Sequence, residues 1–264
     1  MKKIKIFSII LFICSAAIYA GCRIYADRMT DHTPPVITGG SDIEVSVGDP
    51  QDKLLEGMTA EDDRDGDVTD SLVVQKISEF DEEGKRTVNF AAVDDSGNVG
   101  YSSRIMAYTD YQPPVFALDA PLRFPTGGTF NVCENISASG SLDGDLTNKI
   151  KYTLDRAITS SVPGIYQVEF RVMDSAGRTS YLQADLEVYD PSQEPVEVTL
   201  SSYLIYIGVN APFNAADYFQ GSSREGELNI QSTVDTSSPG TYYVDYTVTD
   251  GALMGKSRLI VVVG

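Results

Sequence analysis

Large apolar and polar residues alternate with a period of two in a stretch that the chain uses three times. In its clearest form, within residues 161–177, Tyr166, Val168, Phe170 and Val172 alternate with Gln167, Glu169 and Arg171. The third copy sets Tyr242, Val244, Tyr246 and Val248 against Tyr243, Asp245, Thr247 and Thr249, and the first keeps Val88, Phe90 and Ala92 at the matching positions. A helix would scatter these residues around its circumference. A strand gathers them on one face, so each copy is predicted to be a strand with one buried and one wet side. In every copy a turn glycine stands ten residues before an aspartate: Gly84/Asp94, Gly164/Asp174 and Gly240/Asp250. Pro163-Gly164 and Pro239-Gly240 before the strand, and Asp174-Ser175-Ala176-Gly177 after it, are turn chemistry.

Further alternating or β-branched runs predict strands at Ile43–Gly48, Lys85–Val93, Tyr101–Tyr108, Leu122–Phe124, Tyr181–Val188 and Leu259–Val263. The spacing of the openings then sets the domain count, since Pro35 to Pro114 is 79 residues and Pro114 to Pro195 is 81. Units of that size are too long for solenoid repeats and suit small β-sandwiches. The expected organisation is a targeting segment at 1–28, a polar stalk at 23–33, and domains at 33–110, 112–190 and 194–264. Short proline-containing linkers predict an elongated array with limited bending.

Fifteen Tyr and no Trp among the 264 residues agree with an all-β chain. The formal net charge is −18. Five of the 20 basic and two of the 38 acidic residues lie in positions 1–31, leaving the body with 15 basic against 36 acidic groups. Such a surface repels phosphate backbones, which argues against nucleic acid as a partner. Of three cysteines, Cys14 and Cys22 lie in the leader and only Cys133 in the body, so no disulfide is expected there; Cys133 reads as a small buried hydrophobe.

Lys2, Lys3 and Lys5 precede 17 uncharged residues, Ile6 to Cys22. The positive start should stay in the cytoplasm and place the rest outside. Three fates are open. Ala20-Gly21-Cys22 resembles the end of a lipoprotein box, which would lipidate Cys22, although Tyr19 stands where that box carries an apolar residue. The same run, extended to Ala26, could remain as a single-pass anchor, or it could be cleaved to release a secreted protein. No second apolar span or sorting motif is read near the C-terminus.

Several elements recur in register: Pro34-Pro35-Val36-Ile37 and Pro113-Pro114-Val115 at the openings, Asp65-Gly66-Asp67-Val68-Thr69-Asp70 and Asp143-Gly144-Asp145-Leu146-Thr147-Asn148 in the middle, then Pro163-Gly164-Ile165-Tyr166 and Asp95-Ser96-Gly97-Asn98. Over residues 33–264 the chain resembles bacterial immunoglobulin-like repeats, the kind found in tandem on surface proteins and beside the domains of some insecticidal crystal proteins. That resemblance implies three tandem Ig-like antiparallel β-sandwiches in an extracellular spacer, stalk or adhesive module, with no shared catalytic site.

The best metal candidate in the sequence is the acidic loop with Glu61, Asp63, Asp65 and Asp67 around Gly66. It is similar to the opening of an EF-hand, but the twelfth position from Glu61 is Leu72, so the bidentate glutamate is missing. The competing expectation is that Asp67 or Thr69 bonds nearby backbone and simply builds the turn. Asp94, Asp95, Asp174 and Asp250 sit at strand ends, where they are expected as turn acceptors or as shared calcium ligands at a junction. No cofactor other than weakly bound calcium is expected. His32, the sole histidine, stands in the stalk without His or Cys neighbours, so neither a triad nor zinc is supported. The carboxylates lie in repeat turns, with no insertion to build a sugar cleft, so no enzyme is expected. Outward tyrosines such as Tyr243 are candidates for a binding face. The expected partners are the membrane through the leader, and a cell-wall glycan or surface protein through the body.

Overall fold

The computed structural model describes residues 2–129 and 131–264. Met1, Phe130 and the side chains of residues 2–6, 27 and 28, among them the leader's Lys2, Lys3, Lys5 and Arg28, lie outside the described residues. One long helix, α1, spans Lys2–Met29, and the described residues after it are strands, short 3-10 segments, turns and irregular loops. The residues foreseen as the start of a polar stalk thus continue the helix. Phe7–Ala26 is exposed and has a mean hydropathy of 1.9, long and apolar enough to cross a membrane.

The chain divides into two compact units, residues 1–110 and 111–264. In the first, the strands are β1 (Val36–Gly39), β2 (Ile43–Val45), β3 (Met58–Asp62), β4 (Gly66–Asp67), β5 (Val73–Ile77), β6 (Arg86–Val93) and β7 (Val99–Tyr108). They form two sheets, ordered β1-β3-β4 and β2-β7-β6-β5. The alternation of β6 works as its pattern dictates: Val88, Phe90 and Ala92 point inward to meet Met58, Ala60, Leu72 and Met106.

The second unit repeats this plan once in full and once without the short third strand of the smaller sheet. Strands β8 (Val115–Leu118), β9 (Arg123–Pro125), β10 (Ile136–Gly140), β11 (Gly144–Asp145), β12 (Lys151–Leu154), β13 (Gly164–Met173) and β14 (Thr179–Tyr189) give sheets β11-β10-β8 and β12-β13-β14-β9. Then β15 (Val198–Leu200), β16 (Leu204–Ile207), β17 (Phe219–Ser222), β18 (Glu227–Ser232), β19 (Gly240–Asp250) and β20 (Leu253–Val263) give β15-β17 and β16-β20-β19-β18. The inward residues are those picked out by the period of two: Tyr166, Val168, Phe170 and Val172 on β13, and Val244, Tyr246 and Val248 on β19. Burying each such side chain contributes roughly 1.5–3 kcal/mol.

Pairing is antiparallel with one exception in each sandwich. β2 runs parallel to β7, β9 to β14 and β16 to β20. The first strand segment pairs in one sheet and its continuation crosses to the other, so it meets the last strand in the same direction. In the first unit the crossing is made at Gly39 and Gly40, both at positive φ (89° and 80°). A Cβ on Gly39 would lie 2.1 Å from the Gly57 carbonyl oxygen, so only glycine fits this crossing.

The second unit has two cores but no free joint between them. Leu204 and Ile260 of the last sandwich belong to the cluster built on Phe116, Phe170 and Leu186. Arg123 bridges Glu187 (2.8 Å) and Glu194 (2.6 Å), and its guanidinium lies 4.6 Å from the Tyr189 ring centroid. Burial pushes the Arg123 guanidinium down, and its bonds to Glu187 and Glu194 more than reverse this. Within the segment foreseen as a linker, Asp190–Pro195, Glu194 is therefore tied into a charged seam, while Pro191, Ser192, Gln193 and Pro195 stay exposed.

Candidate functional site

The repeated Asp-Gly-Asp-x-Thr element is a backbone clip. Gly66 and Gly144 take positive φ (74° and 68°), which turns the chain back on β3 and β10. Asp67 Oδ1 accepts from the Thr69 amide and Asp145 Oδ1 from the Thr147 amide, both at 2.9 Å. Each threonine hydroxyl then accepts from a buried strand amide, Ala60 for Thr69 (3.0 Å) and Ala138 for Thr147 (3.2 Å). Hydrogen bonds from Thr69 and Thr147 hold the two aspartates below the ordinary carboxylate value. The first aspartate of each element reaches across to the strand-end turn: Asp65 Oδ2 accepts from the Asp95 amide (2.9 Å) and Asp143 Oδ2 from the Ser175 amide (2.7 Å).

Those strand-end turns are Asx turns. Asp94 accepts from the Asn98 amide and side chain, both 2.7 Å, and Asp174 from the amides of Ala176 and Arg178 at 2.9 and 2.8 Å. Burial raises the Asp94 carboxyl, but the bonds from Asn98, Gly97 and Ser96 outweigh it and leave it below the usual range. Asp250 has a different neighbour, Arg224 at 3.8 Å.

At one end of the first unit these devices converge into carboxylate clusters. Asp62, Asp65 and Asp94 present oxygens within 4.8 Å of one another, and so do Asp31, Asp62 and Asp63. Asp62 belongs to both groups. Asp31 and Asp62 are only 5% and 7% exposed, and the Oδ2 of each has no hydrogen-bond partner among the described residues. Asp62 Oδ1 is held by the amides of Arg64 and Asp65. Asp31 is fixed by its own contacts: Oδ1 accepts from the Thr33 amide, and its carbonyl accepts from Asn98 Nδ2. Among the described residues, the cation beside the group is Arg64, which stands 3.9 Å from Asp31 Oδ2 and donates to the Met29 carbonyl. Two like charges 4.8 Å apart repel by on the order of 3 kcal/mol at an effective dielectric near 20, so the arrangement favours a cation.

The acidic groups that the structure brings together differ from the candidate set read from sequence. The fold brings Asp63 and Asp65 into the clusters and leaves out Glu61 and Asp67. Glu61 faces outward on β3, and Asp67 is committed to Thr69. The residues that sequence reasoning missed are Asp31 and Asp62, together with Asp94's part in the group. A signal for Asp62 was present: Met58, Ala60 and Asp62 share the inward parity of β3. His32 is exposed, as expected. Tyr243 is no free outward face. Its hydroxyl accepts from the Asp185 amide at 3.1 Å and Arg258 stacks 5.0 Å from its ring. It lines a groove of about 450 Å³ with Asp155, Gln167, Glu169, Gln183 and Thr241. Cys133 is half-buried against the second core and burial pushes its thiol up, whereas Cys22 is exposed on α1.

No protein-family model matches the chain. It is 29% identical over 150 residues to pesticidal crystal protein Cry22Aa of Bacillus thuringiensis, covering 53% of this chain and 21% of that protein. It is 24% identical over 169 residues to an uncharacterized 81.3 kDa protein of Acholeplasma phage L2, covering 62% of this chain and 23% of that one. The chain therefore spans less than a quarter of the length of these two relatives. Among solved structures, similar chains include CBM51-2 in complex with GlcNAc and INT domains from Clostridium perfringens ZmpB (16% identity, TM-score 0.24, 87% of this chain and 42% of that). Another is human CDH23 EC21-23 (12% identity, TM-score 0.23, 87% of this chain and 100% of that). TM-scores this low define no common arrangement. The crystal-protein similarity agrees in coarse terms with the Ig-like repeats read from the sequence.

Proposed function

We propose that this chain is a non-enzymatic protein of the bacterial envelope, with its body outside the cytoplasm and its sandwiches serving as a stalk and an interaction or adhesion surface. We read three modules in it, at 33–110, 112–190 and 194–264. The observation that carries the reading is the seam at Arg123, Glu187 and Glu194, where Arg123 also donates to the Lys256 carbonyl and so ties the second sandwich to the third. The exposed apolar helix at Phe7–Ala26 supports attachment to a membrane. Cys22 offers a second route, a lipid added after cleavage, and the intact mass of the purified chain separates the two. Asp67, Asp145, Asp94 and Asp174 serve as clip residues and turn acceptors, which supports a structural role for these repeat-turn carboxylates.

A second reading, recognition of a specific cell-wall glycan or partner protein, draws on the groove beside Tyr243. Gln167, Glu169 and Gln183 offer hydrogen-bonding groups there, and Glu169 and Gln183 already bond each other at 3.1 Å. Co-sedimentation of the full chain with purified cell-wall glycan tests both readings. Binding that is lost in Gln167→Ala/Gln183→Ala, with no release of reducing ends, selects the glycan reader. No sedimentation selects the stalk, and release of reducing ends overturns the non-enzymatic reading.

A further inference from the structure

We propose that the two adjoining carboxylate groups that share Asp62, namely Asp31, Asp62 and Asp63 and then Asp62, Asp65 and Asp94, form a divalent-cation site of the calcium type. The bound ion would tie the chain leaving α1 to the first sandwich. The donors are all carboxylates, with no His or Cys among them. This suits a hard cation that accepts six to eight oxygens in flexible geometry, and disfavours zinc or copper. Proximity of acids alone would be weak grounds. The decisive feature is that Asp31 and Asp62 are each more than nine-tenths buried and each keeps an Oδ2 without a hydrogen-bond partner among the described residues. Buried carboxylate oxygens are ordinarily satisfied by hydrogen bonds or a metal. Here the loop backbone fixes one oxygen of each residue and leaves the other to the cluster.

The next sandwich provides an internal comparison. It keeps the frame, Asp143 on the Ser175 amide and Asp174 in its Asx turn. At the strand position of Asp62, one residue beyond the start of the clip pairing, it has Gly140. Arg178 stands where the first turn has Asn98, and the Tyr111 hydroxyl donates to Asp174 Oδ2 at 2.6 Å. Thus the second copy meets Asp174 with protein donors, whereas the first gathers Asp31 and Asp62, each with an Oδ2 that accepts no hydrogen bond among the described residues. The site also joins distant parts of the chain. Asp31 lies two residues past the end of α1, while Asp62, Asp65 and Asp94 come from the sandwich proper. A cation there would fix how the sandwich is held at the helix exit, and a weak site would suit an extracytoplasmic environment where calcium reaches the millimolar range.

The test is calcium titration of the full chain in detergent, followed by thermal melting and by amide exchange at residues 30–35, 62–66 and 94–98. Calcium should raise the melting temperature and slow exchange in those three segments, with magnesium markedly weaker. Asp62→Asn and Asp31→Asn should each weaken apparent calcium affinity by at least about tenfold, because affinity follows the number of charged ligands. Asp143→Asn should leave it unchanged. In EDTA, Asp62→Asn should melt no lower than the unsubstituted chain, since removing a charge relieves repulsion. If Asp62→Asn fails to fold, Asp31→Asn carries the affinity comparison. The proposal is overturned if calcium neither shifts melting nor slows exchange at residues 30–35. An equal calcium response in Asp31→Asn and Asp143→Asn would also overturn it, because the effect would then be diffuse screening of a −18 chain.

Discussion

Nη2 of Arg123 on β9 lies 2.6 Å from Oε2 of Glu194, and both side chains are nearly buried (7% and 11% exposed). The same guanidinium donates to the Lys256 carbonyl on β20, so one residue touches both sandwiches of the second unit and the segment between them. Truncation would strand two carboxylates with little water to solvate them. Arg123→Ala is expected to destabilise the second unit by about 3 kcal/mol. It should also split its unfolding into two calorimetric transitions where the unsubstituted protein shows one. A single unchanged transition would remove the argument for a hingeless seam.

The threonine clip gives a second expectation. Ala60 is fully buried, and its amide depends on the Thr69 hydroxyl. Thr69→Val keeps the shape and removes the acceptor, at a cost of about 1–3 kcal/mol in urea unfolding. Thr147→Val should behave alike through Ala138. A loss below a few tenths of a kcal/mol would show that the clip is incidental.

Gly39 and Gly57 both sit at positive φ, but they differ in surroundings. A Cβ on Gly39 meets the Gly57 carbonyl oxygen, whereas one on Gly57 meets nothing within 4 Å. Gly57→Ala should cost about 1 kcal/mol of backbone strain, and Gly39→Ala clearly more. Urea midpoints of the two variants decide this, and equal losses would contradict the crossing geometry.

Acid should unfold the protein in part through the clips. The folded-state pKa values of Asp67 and Asp145 are lowered from the ordinary 3.8. The unfolded chain therefore binds these protons first as pH falls. Stability from the two groups is fully present well above pH 3.8 and is lost as pH drops through and below that value. Melting temperature against pH should fall on this limb, and less steeply in Asp67→Asn/Asp145→Asn. An identical limb in the double variant would contradict it.

Much of this was legible in the chain. The period of two at Tyr166–Val172 and Tyr242–Val248 gave strand, facing and core together, because a pleated strand allows only two sides. The Asp-Gly-Asp-x-Thr turn was readable from the local bonding habits of its residues. What was not legible came from residues far apart in sequence. The parallel pairing of β2, β9 and β16 depends on a crossing between sheets that no local pattern encodes. The carboxylate groups differ from the loop set expected from sequence, because ligands were sought along one loop. The fold instead closes Asp31 and Asp94 onto Asp62, across 63 positions of sequence. Tyr243 looked outward by parity and was covered by a neighbouring sandwich, which alternation within one strand cannot reveal.

The central claim is that the body of this chain stands outside the cytoplasm, and labelling of lysines on bacteria expressing the full chain tests it most directly. Lys76, Lys149 and Lys151 are exposed on the sandwiches. A membrane-impermeant amine reagent applied to intact spheroplasts should modify all three, as read by mass spectrometry, while a cytoplasmic marker protein stays unlabelled. If these lysines react only after the membrane is broken, the body is inside and the account of an envelope stalk and interaction surface fails.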